Sequence, residues 1–134
     1  MEEKVWDPLR RKEVPLTPEE RVRQWFISFL RSEAGVPVHM MMSEVALLSG
    51  GKRYRADIVV YDRTGSPLMV VECKKPEVPL DEKVTDQALR YDRSLGVRYI
   101  AVTNGHATLL FEKTETGFSP LLKLPSWEEM LCRP

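Results

Sequence analysis

The 134-residue sequence predicts an α/β sandwich, a central mixed β-sheet flanked by helices. Three observations predict it. An apolar stripe of Val22, Trp25, Phe26, Phe29 and Leu30 recurs at helical spacing. Two neighbouring segments, Arg53 to Tyr61 and Leu68 to Cys73, are apolar on consecutive residues, which marks strands buried on both faces. A second helical stripe of Val84, Ala88, Tyr91 and Leu95 follows, so helices are available to cover the sheet.

Residues 1–16 carry no periodicity and read as an N-terminal arm, and 17–134 as a single domain. Thr17 is an N-cap, Pro18 takes the first helical position, and Glu20 three residues on completes a capping box. Gly35 and Pro37 end that helix. Val38 to Leu48 has strand composition and stops at Gly50-Gly51. The two central strands flank a turn at Arg63-Thr64-Gly65-Ser66, and Pro76 and Pro79 close the hairpin. Leu80 and Asp81 open the second helix, which Gly96 stops. Val97 to Thr103 is a strand, Asn104-Gly105 a hairpin turn and Ala107 to Glu112 the returning strand. Phe118 to Leu124 adds a strand, and Ser126 to Leu131 a terminal helix. Trp25 belongs to the first helical stripe, while Trp6 and Trp127 offer docking points for the two termini.

With 43% apolar and 30% charged residues, the composition is that of a soluble globular domain. The N-terminus lacks the apolar core of a signal peptide, and no apolar run approaches the ~20 residues that span a bilayer. A cytoplasmic protein without a membrane partner is therefore expected. Cys73 and Cys132 are too few for a disulfide framework and read as reduced thiols. Twenty basic and twenty acidic side chains give zero net charge, so binding a nucleic acid requires clustered cations. Candidates are Arg10-Arg11-Lys12, Lys52-Arg53 with Arg55, and Lys74-Lys75. Charge alone neither supports nor excludes that partner.

The anomaly lies in the central strands. Asp57 interrupts one, and Glu72 and Lys74 end the next, where a purely structural sheet favours Val or Ile. Strand alternation places Glu72 and Lys74 on one face and turns Cys73 away. A loop symmetric about Thr64 and Gly65 pairs Arg63 with Ser66, and the same register sets Asp57 opposite Glu72, unless a bulge shifts it. Two facing carboxylates repel unless a positive charge sits between them. Mg2+ is the natural occupant, since it takes one or two carboxylates and fills its remaining positions with water and phosphate. Lys74 beside it suits the positioning of an attacking water and the offsetting of phosphate charge. The same three residues also suit a salt bridge in which Lys74 neutralises one carboxylate.

Arg55-Ala56-Asp57-Ile58-Val59-Val60-Tyr61, the Gly65 turn and Val70-Val71-Glu72-Cys73-Lys74-Lys75-Pro76 resemble the PD-(D/E)xK nuclease core. More narrowly, the chain resembles the N-terminal nuclease domain of type I restriction enzyme R subunits. Three further segments agree: Pro18 to Gln24 with that family's opening helix, Gln87-Ala88-Leu89-Arg90-Tyr91 with its Gln-x-x-x-Tyr motif, and Val102-Thr103-Asn104-Gly105 with a recurrent strand end. The resemblance covers Thr17 to Leu124 and implies a restriction-endonuclease-like sandwich. It implies Mg2+-dependent cleavage of DNA, with Mn2+ able to substitute. Asp57 and Glu72 are the implied metal ligands and Lys74 the catalytic lysine. Gln87 and Tyr91, one helical turn apart, are implied to face the site, although Tyr91 also continues the core stripe. Glu20 matches the opening-helix acid that completes the metal site, and its capping role accounts for it equally well. Glu44 is the alternative for that position.

Two features depart from the family. Ala56 stands where the superfamily name has proline, and no Gly-x-x-x-x-Gly-Lys-Ser/Thr sequence is present. The chain is accordingly not expected to drive ATP-dependent restriction by itself, which leaves open whether it acts alone, with a helicase or restriction-system partner, or as a silent nuclease-fold module for DNA binding or assembly. Cutting both strands of a duplex with one site implies a homodimer or sequential nicking. His39 and His106 lack metal-ligand spacing with the cysteines. Met40-Met41-Met42 suits core or sheet edge.

Overall fold

The first helix, α1 (Pro18–Ala34), begins and ends where its caps dictate. The Glu20 N–H donates to Thr17 Oγ1 at 3.0 Å, and Gly35 closes the other end in the left-handed conformation, φ 68°. The computed structural model describes residues 2–49, 51–90 and 96–132. Val22, Phe26, Ile27, Leu30 and Ala34 form the buried face of α1. Trp25 is not part of it: the ring is 43% exposed and stacks on Phe29 with centroids 5.4 Å apart. The capping box is only half made, because the Glu20 carboxylate turns to the arginines described below.

Within the arm, residues 4–15 have regular structure. They form an antiparallel hairpin of β1 (Lys4–Asp7) and β2 (Lys12–Pro15). Its turn is built by Asp7, whose carboxylate accepts from the Leu9 N–H at 2.8 Å and from the Arg10 guanidinium, with Arg11 left-handed at φ 55°. Strands of four residues fixed by one side-chain-capped turn leave no periodic trace in a sequence. Trp6 on β1 is 58% exposed and does not dock.

After a single 3-10 turn (Val38–Met40), six strands lie side by side in chain order: β3 (Met41–Ser49), β4 (Lys52–Tyr61), β5 (Pro67–Cys73), β6 (Tyr99–Thr103), β7 (Thr108–Thr114) and β8 (Gly117–Leu121). Neighbours are antiparallel except β5 and β6, which run parallel and are joined by a crossover containing α2 (Glu82–Arg90). Asp81 caps α2 through the Val84 N–H at 3.0 Å. The sheet is mixed and covered on both faces, as the doubly apolar strands predicted. Ile58, Val60, Met69, Val71 and Cys73 pack with α1 and with a terminal helix, α3 (Trp127–Cys132). Ile100, Val102 and Phe111 pack with Ala88 of α2, and Val70 joins them.

Local chemistry fixes the joins. The β6–β7 connection takes four residues rather than two: Asn104 Oδ1 accepts from the His106 and Ala107 N–H groups, and its amide donates to the Val78 carbonyl at 2.8 Å. Ser126 and Glu129 form a reciprocal capping box for α3. Trp127 is buried, donates to the Tyr61 carbonyl at 3.1 Å and carries the Arg63 guanidinium 4.9 Å above its ring, so this terminus does dock. Among the described residues, no helix is long and apolar enough to cross a membrane.

Candidate active site

The site forms where the middle of the sheet opens. The β4–β5 turn is not symmetric: Asp62 N–H donates to the Ser66 carbonyl and Tyr61 pairs with Pro67. Leu68 then bulges, restoring the expected register at Val60↔Met69 and Ile58↔Val71. The β4–β5 ladder stops there. β5 continues beside β6 to Cys73↔Thr103, and β4 beside β3 to Ser49↔Lys52. The two central strands therefore part at Asp57 and Glu72, which the register places across from one another.

Parting leaves the Cys73 N–H without a β4 carbonyl, and it donates to Asp57 Oδ2 at 2.7 Å. This is the one hydrogen bond to that carboxylate among the described residues, so its second oxygen is available. Glu72 and Lys74 share a face by alternation, with Lys74 Nζ 3.9 Å from Glu72 Oε1, an ionic contact rather than a hydrogen bond. Burial raises both carboxyl groups above the ordinary carboxylate range. For Asp57 the Cys73 N–H and Arg23 oppose the rise; for Glu72 Lys74 opposes it, while Asp57 and Glu19 add to it. One ammonium thus faces two half-buried anions. A divalent cation suits this donor set, because it would relieve both the desolvation and the mutual repulsion. Among the described residues no group of three or more His, Cys, Asp or Glu side chains forms a ready-made cage. The protein would supply two carboxylates and leave the remaining positions to water and phosphate.

Behind the opening lies an ionic cluster that the sequence reading did not anticipate. Arg23 is buried on α1, reaches Glu44 on β3 at 3.4 Å, and donates to the Asp57 carbonyl at 3.3 Å. Glu44 has φ 53°, a left-handed conformation that costs a residue with a side chain about 1–2 kcal/mol. It makes no bridge with Asp57, although Ser43↔Ile58 and Val45↔Ala56 pair on either side. Arg23 occupies that gap in the ladder. Its Nε lies 3.3 Å from Glu20 Oε2 without the alignment of a hydrogen bond.

Glu20 and Glu44 are accordingly not brought to Asp57 and Glu72 as ligands. Glu20 accepts from Arg10 at 2.6 Å and from Gln24 at 2.9 Å. Glu44 meets Arg10, Arg23 and Arg55; burial raises its carboxyl, and the arginines outweigh it and hold the group low. The opening-helix acid whose charge is felt at both Asp57 and Glu72 is Glu19. Its signal was available: Glu19, Val22, Phe26 and Leu30 fall on one helical stripe. Gln87 is exposed on α2, which packs over the sheet face that carries Val70 and Glu72. Tyr91 lies outside the described residues. Cys73 points into the α1 core and burial pushes its thiol far above the ordinary range, so it is no nucleophile here.

Residues 18–125 match the family model of the type I restriction enzyme R protein N terminus. The fold is similar to a solved fragment described as an HsdR subunit of a type I restriction enzyme from Vibrio vulnificus YJ016, with a TM-score of 0.62 and 24% identity. That likeness covers 87% of this chain and 25% of the other, so the chain spans about a quarter of that structure's length. No curated protein matches the chain.

Proposed function

The chain belongs to the type I restriction enzyme R protein N-terminal family, and from that premise we propose that it is a metal-dependent nuclease domain that hydrolyses phosphodiester bonds in DNA. The observation that supports this most is the parting of β4 and β5, which brings Asp57, Glu72 and Lys74 to one opening. Asp57 and Glu72 would hold Mg2+, with Mn2+ able to substitute. When bound, the ion polarises a phosphate oxygen and lowers the pKa of water. The Cys73 N–H fixes one Asp57 oxygen, and the other would serve the metal. Lys74 donates to the phosphate or to the attacking water, offsetting the negative charge that grows as the bond breaks. In this reading the domain works on DNA within a restriction system, beside a helicase or other restriction partner.

A second reading, a nuclease-fold DNA-binding or assembly module without turnover, is favoured by the two-carboxylate donor set and the zero net charge. Cleavage of labelled DNA duplexes and single strands with Mg2+ or Mn2+ separates the two. Activity in wild type that chelator, Asp57→Ala and Lys74→Ala each abolish supports the nuclease. A folded wild type as inert as both variants supports the module.

A further inference from the structure

Beyond the opening, β3 and β4 continue alone as a two-stranded ribbon from Val45↔Ala56 to Ser49↔Lys52. Its five residue pairs extend about 16 Å at the usual ~3.3 Å per residue. Gly51, just before Lys52, has φ 79°. Between Val45 and Ala56 the sequence holds three cations, Lys52, Arg53 and Arg55, and no acid, within a chain of zero net charge. Arg55 is tied to Glu44 at 2.8 Å. Lys52 and Arg53 are exposed and make no ion pair or hydrogen bond to another side chain among the described residues. Arg53 shares its β4 face with Asp57, four residues on, about 13 Å along the strand.

We propose that this ribbon is a docking element for the backbone of duplex DNA, with Lys52 and Arg53 each neutralising a phosphate while another lies at Asp57 and Glu72. The proposal rests on the nuclease reading for the position of that second phosphate. A duplex presents one charge per strand every ~3.4 Å of axis, so 13 Å is about four base pairs, and its major groove, about 12 Å wide, admits a two-stranded ribbon. Cations on the same strand as Asp57 set both the footprint and the direction in which the duplex crosses the site.

The test is the salt dependence of duplex binding by the full chain. Fluorescence anisotropy with a labelled oligonucleotide duplex is followed from low to moderate salt, with chelator present so that nothing is cut. Wild type is compared with Lys52→Ala/Arg53→Ala and with Lys123→Ala, just past β8 at the opposite edge of the sheet. The ribbon variant is expected to flatten the slope of log K against log salt by about two, one per lost phosphate contact, and to bind about tenfold more weakly. Lys123→Ala is expected to match wild type. An unchanged slope, an equal change in Lys123→Ala, an effect confined to single strands, or no duplex binding by wild type would each overturn the proposal. Cleavage is scored separately: metal-dependent cutting with an unchanged slope sinks the ribbon and spares the nuclease, and a flattened slope without any cutting does the reverse.

Discussion

Replacing Arg23 with Met tests whether the ionic cluster supports the opening of the sheet. The variant keeps most of the aliphatic volume and removes the guanidinium. Breaking a buried pair costs about 3–5 kcal/mol when a buried charge is left alone. Here the carboxylates keep other partners: Glu20 retains Arg10 at 2.6 Å and Gln24 at 2.9 Å, and Glu44 retains Arg55 at 2.8 Å. The loss then falls to that of hydrogen bonds to charged groups, about 2 kcal/mol. For a domain of this size that is a Tm lower by about 6–10 °C. Far-UV circular dichroism on heating reads it, and the effect should persist at high salt because Arg23 and Glu20 are both buried. Arg10→Met combined with Arg23→Met strips Glu20 of both arginines, so the pair should cost about 1–2 kcal/mol more than the sum of the singles. A single variant within about 0.5 kcal/mol of wild type, or a strictly additive pair, would refute the reasoning.

Two further outcomes follow from the same geometry. In metal-free protein the raised folded pKa of Asp57 means that the native state binds this proton more tightly than the unfolded chain does, so its contribution opposes folding above the folded pKa and fades as pH falls toward the ordinary carboxylate range. Asp57→Asn, which keeps an oxygen for the Cys73 N–H, should therefore be more stable than wild type at neutral pH and lose that advantage in acid; a difference in urea-unfolding free energy that does not change with pH would count against the burial assigned to this carboxyl. Cys132 is exposed and Cys73 buried, so a thiol reagent should modify one cysteine per native chain and two in denaturant, and rapid modification of both in native buffer would contradict the packing of β5.

The doubly apolar runs of β4 and β5 foretold a sheet covered on both faces, and the Thr17 cap and the helix openings read at Leu80-Asp81 and Ser126 marked helix starts to within two residues. Asp57 and Glu72 were placed opposite one another through a turn that is neither symmetric nor bulge-free. The asymmetry at Tyr61↔Pro67 and the bulge at Leu68 cancel, and no rule of turn symmetry contains that cancellation. The ionic cluster was illegible for a different reason. Arg10, Arg23 and Glu44 belong to three elements, and their meeting depends on a hairpin without periodicity and on a left-handed residue within a strand. Glu20 entered through the resemblance to the family's opening helix and Glu19 was not singled out, because which acid reaches the sheet is set by helix rotation rather than by local spacing.

The kink at Glu44 also bears on how copies of this chain behave toward one another. β3 and β8 are the open edges of the six-stranded sheet, and an edge strand is a template on which another chain can lay a strand. On β8, Pro120 offers no amide to such a visitor. On β3, the left-handed turn of Glu44 interrupts the row of amides and carbonyls at the middle of the edge. Without a net charge to hold copies apart at a distance, the chain depends on irregular edges of this kind to stay dispersed when concentrated.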